Sequence, residues 1–318
     1  MEIAVNAKVV IQISHYNRCD LMSDDEARAE IDKKYEKLLA AATGTDTVET
    51  ENDNETETEP EYQKPSTTNI VDMMLGKSSA KTLDSETMIL ETQKRIWRAI
   101  KQGGAEYYGI ISESDEFLRE HVNEKIPMAV MFVDLVGSTD MSLSLPEEKV
   151  AMIVSSFAQE MAIAVKQHSG FTLKFVGDAV IGYFIHQSAL MASDNAISCA
   201  QNMIKIIEDG INPILNNYDY PDLHIKIGID YGESMVMRYG KDKARSHVDL
   251  LGPVMNIAAK VQNKAKPQQI MIGEDIYNKI HPTSQKNFEL KVWDEGGWNY
   301  RNRHTGKLYP VYESKTKL

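Results

Sequence analysis

Apolar residues in the second half of the chain repeat with two different periods, and these periods predict its strands and helices. The continuous apolar run Met128–Val133 is typical of a buried strand. Beyond Pro146, apolar residues recur at helical spacing as far as Val165, and Gly170 follows them as a stop signal. Apolar residues alternate strictly over 223–229, which predicts a strand with two different faces.

The segment FTLKFVGDAVIGYFI contains two β-rich runs on either side of Gly177-Asp178, a pair that is typical of a tight hairpin turn. A second helix is predicted over about 189–208. The order strand, helix, hairpin, helix, strand predicts an α+β sandwich of ferredoxin-like type. Helices cover one face of such a sheet, and a partner subunit is expected to cover the other. Further elements are predicted at 234–239 (strand), 254–264 (helix), 269–273 (strand), a short helix ending at 280, and 288–293 and 308–312 (strands).

The first 122 residues are expected to form a largely helical N-terminal extension. One helix is predicted from Ser23, and another from Asp84 to about Gln102. The second helix either leads into a dimer or packs on its own domain. The predicted divisions are 1–44 (a segment of unknown role), 45–70 (an acidic disordered linker), 71–122 (a helical connector) and 123–318 (the folded, chemistry-bearing domain).

Composition and charge narrow the classes of protein. No apolar run approaches the about 20 residues that span a bilayer, and the N-terminus lacks the pattern of a signal peptide, so membrane insertion is not expected. The two cysteines, Cys19 and Cys199, are far apart, which favours a cytoplasmic location without disulfides. Residues 46–61 hold eight acids and no base, and removing them from the total charge of −12 leaves −4. We therefore expect no nucleic-acid binding, although a local pocket for a polyanionic ligand is compatible with this charge.

Two aspartates are the first candidates for chemistry. Asp134 ends the first strand in FVDLVGST, and Asp178 lies in the turn of the hairpin that follows. If the strands are neighbours, the two carboxylates lie at one sheet edge and suit a Mg²⁺ site. Each aspartate alone is also an ordinary turn residue. The backbone N–H groups of Val136–Thr139 can form an anion-binding nest after the strand, although such Gly-Ser-Thr loops are common.

Four segments, FVDLVGST, LKFVGDAVIGYF, IKIGIDYGE and VDLLGPVMNIAAKV, together resemble the catalytic domain of class III adenylyl and guanylyl cyclases. The resemblance covers about residues 126–275 and implies the sandwich fold of that family. It also implies that two divalent ions, Mg²⁺ or Mn²⁺, occupy each active site. The implied roles are metal binding by Asp134, Asp178 and the backbone carbonyl of Leu135; phosphate binding by Val136, Gly137, Ser138 and Thr139; adenine recognition by Lys174 and Asp249; and catalysis by Asn256 and Lys260.

The resemblance implies an adenylate cyclase that converts ATP to cyclic AMP and pyrophosphate, with its sites at the interface of a homodimer. Lys174 and Asp249 argue against GTP, while a pyrimidine triphosphate stays open as substrate, as in some bacterial antiphage relatives of the family. One departure from the family pattern is Lys260, which stands where the family has an arginine. Lysine keeps the positive charge but loses the planar fork of arginine. A nucleotide-binding module that has lost catalysis is therefore the remaining alternative.

Overall fold

The computed structural model describes residues 85–102, 110–294, 296–302 and 305–315, together with residues 29, 32, 33, 36 and 37. The helices are α1 (Ser85–Gln102), α2 (Ser112–Glu120), α3 (Ser138–Ser144), α4 (Glu147–Gln167), α5 (Ala189–Lys205), the π-helix Ile206–Ile211, α6 (Asn212–Asn216), α7 (Pro253–Gln262), α8 (Glu274–Tyr277) and α9 (Pro282–Gln285). The strands are β1 (Lys125–Val136), β2 (Gly170–Val176), β3 (Ala179–Phe184), β4 (His224–Tyr239), β5 (His247–Leu251), β6 (Gln269–Gly273), β7 (Phe288–Leu290) and β8 (Val311–Ser314).

The strands form one mixed sheet in the order β2-β3-β1-β4-β6-β8-β7, and β5 pairs with β4. Strand β1 is central, because it pairs antiparallel with both β3 and β4. The first four strands and their helices have the ferredoxin-like arrangement, so the predicted fold class is confirmed. Strand β4 runs without a break through 234–239, and β5 pairs antiparallel with its second half.

Helices α4 and α5 cover one face of the sheet, and α1 belongs to the same layer. Ile96 and Trp97 of α1 are buried in the core that Phe157 of α4 and Ile197 of α5 also enter. Within the single chain, α1 packs on its own domain, which is one of the two alternatives for the helix at 84–102. The apolar face of α4 is the one that its helical spacing predicts.

A buried charge network fixes α1 to α4. Glu160 is only 2% exposed, and Arg95 donates to both of its carboxylate oxygens, at 2.6 and 2.8 Å. The hydroxyl of Thr92 donates to the same carboxylate at 2.7 Å. A buried carboxylate is tolerated only when it is paired and hydrogen-bonded, so these contacts hold the helical connector at one position on the domain.

The opposite face of the sheet is partly covered by the chain itself, which differs from the expectation that a partner subunit would cover it. Phe117 of α2 stacks on Phe171 of β2, with ring centroids 5.3 Å apart. The hydroxyl groups of Ser114 and Tyr183 share a hydrogen bond of 2.9 Å. Helix α7 packs on the same face through Val254 and other apolar residues. The sequence did not reveal this cover, because α2 is short and its sequence is mostly polar.

Several predicted boundaries of helices and strands differ from those in the structure. The helix predicted over 189–208 ends as α5 at Lys205 and continues as the π-helix, where Gly210 approaches Thr92 of α1 so closely that a Cβ would lie 3.0 Å from its methyl group. The last two strands are 288–290 and 311–314. The linker predicted at 45–70 lies outside the described residues. The same holds for most of the helix predicted from Ser23, of which residues 29, 32, 33, 36 and 37 are described and are helical. Among the described residues, none of the helices is both long and apolar enough to cross a membrane.

Candidate active site

The predicted metal-binding aspartates meet at one edge of the sheet. Asp134 pairs in register with Ala179, the first residue of β3, so Asp178 in the turn just before it comes next to Asp134. Burial raises the pKa of Asp134, and the negative charge of Asp178 raises it further. A hydrogen bond from Gln262 and the positive charge of Lys226 lower this pKa in part. The structure therefore brings together the two carboxylates as the sequence predicts.

These residues fit a divalent cation. The negative charge of Asp178 disfavours the ionised form of Asp134, and a cation bound between the two carboxylates would remove that repulsion. The backbone carbonyl of Leu135 lies at the same end of β1, next to Asp134. Among the described residues, no group of three or more His, Cys, Asp or Glu side chains could hold a metal. A magnesium ion commonly uses only one or two carboxylates, together with waters and substrate phosphates, so this set is sufficient.

The loop after β1 turns sharply at Gly137. Its φ angle is +79°, a left-handed conformation that glycine adopts without strain, and an added Cβ would meet no atom within 4 Å. Glycine is therefore required here by the backbone conformation and not by lack of space. The turn starts α3 at Ser138, so the backbone N–H groups of Val136–Thr139 lie between the end of a strand and the start of a helix.

The two residues predicted to recognise the base are in direct contact within one chain. The Lys174 ammonium donates to Oδ2 of Asp249 at 2.5 Å, and the backbone N–H of Leu250 donates to Oδ1 at 2.9 Å. A β-bulge at Leu173 shifts the pairing of β2 just before Lys174. The Nε2 atom of His247 lies 3.8 Å from the same carboxylate, so a third polar side chain borders the pair. A positive donor and a negative acceptor thus stand side by side.

Asn256 and Lys260 lie one turn apart on the exposed face of α7. Pro253 occupies the first turn of the helix, where its missing N–H costs nothing. On the opposite face, α7 lies directly against β4. A Cβ at Gly228 would come within 2.3 Å of the Ala258 carbonyl oxygen, so only glycine allows this approach.

The neighbours of the predicted site residues were not identified from the sequence. Gln262 donates to Oδ2 of Asp134 at 3.2 Å, the positive charge of Lys226 acts on the same carboxylate, and Nε2 of His247 lies 3.8 Å from the Asp249 carboxylate. A signal existed for Gln262, because it is a polar residue at a position that the apolar spacing of α7 assigns to the core. No comparable signal marks Lys226 or His247, since both lie on strands where alternating polar residues are ordinary.

Comparison with known proteins identifies the family to which this fold belongs. The family described as adenylate and guanylate cyclase catalytic domain matches residues 120–309, more than half of the chain. The chain therefore belongs to this family, which confirms the resemblance seen in the four motifs. The fold is similar to that of the adenylyl cyclase CyaB from P. aeruginosa, with a TM-score of 0.51 and 20% sequence identity over 61% of this chain and 96% of that chain.

Curated relatives include cyclases with pyrimidine names. A cytidylate cyclase of Staphylococcus aureus is 30% identical over 210 residues, which are 64% of this chain and 49% of the relative. A uridylate cyclase of Burkholderia cepacia is 27% identical over 191 residues, which are 57% of this chain and 80% of the relative. The chain spans about half or less of the cytidylate cyclases that it matches. The expectation of ATP as substrate is therefore not confirmed.

Proposed function

We propose that the chain is a nucleotidyl cyclase that acts on a nucleotide whose base carries an amino group beside a ring nitrogen. CTP is the proposed substrate, and ATP is the second candidate. The product is the 3′,5′-cyclic nucleotide, and pyrophosphate leaves. The observation that carries this proposal is the contact of Lys174 with Asp249, which offers a donor and an acceptor side by side.

The hydrogen-bonding edge of the base explains the choice. Cytosine and adenine both present a ring nitrogen that accepts a hydrogen bond, next to an amino group that donates one. Lys174 can donate to the ring nitrogen while Asp249 accepts from the amino group. Uracil and guanine reverse this order, because their ring N–H donates and their carbonyl oxygen accepts. In the same orientation their N–H would face the ammonium group, so two donors would meet and the base would be disfavoured.

The names of the relatives bear on the choice between the two amino-bearing bases. The name of the Staphylococcus aureus relative supports cytosine for this chain. The lysine and aspartate that this chain shares with adenylyl cyclases support adenine as the second candidate. The Burkholderia cepacia relative is named for uracil, a base that the order of Lys174 and Asp249 does not favour.

The proposed reaction forms a bond between the ribose 3′-oxygen and the α-phosphorus, breaks the bond from that phosphorus to the oxygen that bridges it to the β-phosphorus, and releases the 3′-hydroxyl proton to water. Asp134, Asp178 and the Leu135 carbonyl would hold Mg²⁺ or Mn²⁺, which when bound stabilises charge on the attacking and leaving oxygens. The N–H groups of the 136–139 loop, made up of Val136, Gly137, Ser138 and Thr139, would donate to the phosphates. Asn256 would orient the ribose, and Lys260 would contribute positive charge to the phosphate oxygens.

We propose that the active form is a homodimer. Each chain carries the metal-binding half and the base-recognising half of a site once, so a twofold dimer would contain two equal sites. Apolar side chains beside the base-recognising pair are solvent-exposed in the single chain, namely Phe175 (39%) and Val176 (53%) after Lys174 and Leu251 (54%) near Asp249. Exposed apolar groups next to a site favour an interface there.

Mixing two inactive variants tests the shared site. Asp134→Asn removes charge from the metal-binding half, and Asn256→Ala removes the ribose contact from the other half. Each variant alone is expected to lose turnover by at least about 100-fold, equivalent to about 3 kcal/mol. Mixed dimers contain one intact site, so an equal mixture should regain about a quarter of the parent activity.

The control is Asp222→Asn, an exposed aspartate in the loop before β4, which should leave turnover unchanged. A mixture that stays as inactive as its components would refute the site shared between subunits. A parent protein that makes no cyclic nucleotide, yet binds nucleotide, would favour the alternative of a binding module without catalysis.

A further inference from the structure

Gln262 is the buried polar side chain that contacts the metal-binding half of the site. It is the last residue of α7 and only 5% exposed, and its amide nitrogen lies 3.2 Å from Oδ2 of Asp134. The remaining buried residues of this helix face include Val254, Ile257 and Val261, all of which are apolar. A glutamine amide buried among apolar side chains loses its hydrogen bonds to water, so the hydrogen bond to Asp134 is what compensates for its burial.

The backbone around Gln262 fixes the position of this amide. Gly228 of β4 lies beneath the end of α7, where an added Cβ would come within 2.3 Å of the Gln262 backbone nitrogen and 2.5 Å of its Cβ. Gly228 pairs in register with Phe132 of β1, two residues before Asp134 on the same face of the sheet. Because residue 228 is glycine, the end of α7 can lie beside the Asp134 carboxylate.

We propose that Gln262 is a positioning residue for Asp134, an inference that rests on the proposed cyclase function. Its amide donates to Oδ2 of Asp134 and leaves Oδ1 to bind the cation, so the carboxylate is held in one orientation. An amide is suited to this role because it donates without carrying charge. A lysine or arginine at the same place would neutralise Asp134 and compete with the cation. Removing a hydrogen-bond partner of a metal ligand commonly lowers metal affinity by about 10–100-fold.

Cation binding without turnover separates this role from a structural one. In the full chain, the affinity for Mn²⁺ alone is measured from the electron paramagnetic resonance signal of free Mn²⁺, and the unfolding temperature is measured in parallel. The variant Gln262→Met keeps the volume of the side chain and removes the donor. We expect it to weaken Mn²⁺ binding by about 10–100-fold.

Gln269→Met is the matched control. Gln269 also donates to a carboxylate, that of Glu313 at 2.9 Å, but lies two strands away from Asp134. It should change Mn²⁺ affinity by less than about threefold, well below the effect expected at Gln262. If Gln262→Met does not fold, Gln262→Asn is measured instead, because its side chain is one methylene shorter and places the amide away from Asp134.

The possible results decide between the roles. Equal Mn²⁺ affinity in the parent and the folded Gln262 variant would overturn the proposal, whatever the unfolding temperature shows. Failure of both Gln262 variants to fold would assign the residue to domain stability and would also overturn it. A parent that binds no Mn²⁺ would instead count against the proposed function, so the two failures are distinguishable.

Discussion

Asp230 makes the stability of the domain depend on pH in a direction that can be calculated. Its side chain is completely buried in β4, and the Tyr309 hydroxyl donates to its carboxylate at 3.0 Å. Burial and then the charge of Asp275 raise its pKa to about 8, although N–H donors and Tyr309 act in the opposite direction. Because the folded pKa exceeds the unfolded value of 3.8, the folded state binds more protons between these two pKa values.

The free energy of unfolding should therefore fall as the pH rises from about 4 to about 8, by about 1.4 kcal/mol per pH unit from this group. Between pH 5 and pH 7.5 the contribution is about 3 kcal/mol. Asp230→Asn keeps the shape and carries no charge at any pH, so the variant should lose this part of the slope.

The assay is urea unfolding of the parent and of Asp230→Asn at both pH values. The comparison between proteins isolates Asp230, because other groups such as His168 titrate in both. Asp222→Asn, at an exposed position, is the control and should keep the parent slope. Equal slopes in the parent and Asp230→Asn would show that Asp230 is ionised when folded and would refute the reasoning.

Three further predictions concern the connector and the site. Arg95→Met leaves the Glu160 carboxylate buried without its positively charged partner, so the free energy of unfolding measured in urea should fall by about 3–5 kcal/mol. A fall of less than about 1 kcal/mol would mean that the pair is solvated. Lys260→Arg restores the planar fork and should raise turnover by about 5- to 100-fold, or 1–3 kcal/mol; unchanged or lower turnover would contradict the role given to this departure. Gly137→Ala should reduce turnover. The control is Gly296→Ala, because Gly296 has a similar φ of +81° and also has no atom near an added Cβ; it should only reduce stability, by about 1 kcal/mol. Equal turnover in the two variants would argue against phosphate binding by the loop at Gly137.

The sequence predicted those parts of the fold that local pattern determines. The apolar run at Met128–Val133, the helix after Pro146 and the hairpin at Gly177-Asp178 all appear near their predicted places. Each is encoded by residues that are close in sequence, through spacing or turn chemistry. The meeting of Asp134 with Asp178 was also predictable, because a hairpin next to a strand leaves few arrangements.

Contacts between distant residues were not predictable from these patterns. The bond between Arg95 and Glu160 joins residues 65 positions apart, and it helps to hold α1 on its own domain. Gln262 and Asp134 are 128 positions apart. Nothing in the spacing of one helix identifies a partner on another element, since many polar residues meet the same local pattern. The base could not be predicted from the sequence for a related reason, because one donor and one acceptor suit both cytosine and adenine.

The identity of the product tests the central claim most directly. The purified chain is incubated with equal concentrations of ATP, CTP, GTP and UTP and with Mn²⁺, and the products are identified by mass spectrometry. We expect cyclic CMP as the main product and cyclic AMP as the next, with both absent in Asp134→Asn. Cyclic GMP or cyclic UMP as the main product would contradict the role of Lys174 and Asp249, and the absence of any cyclic nucleotide would contradict the proposed enzyme.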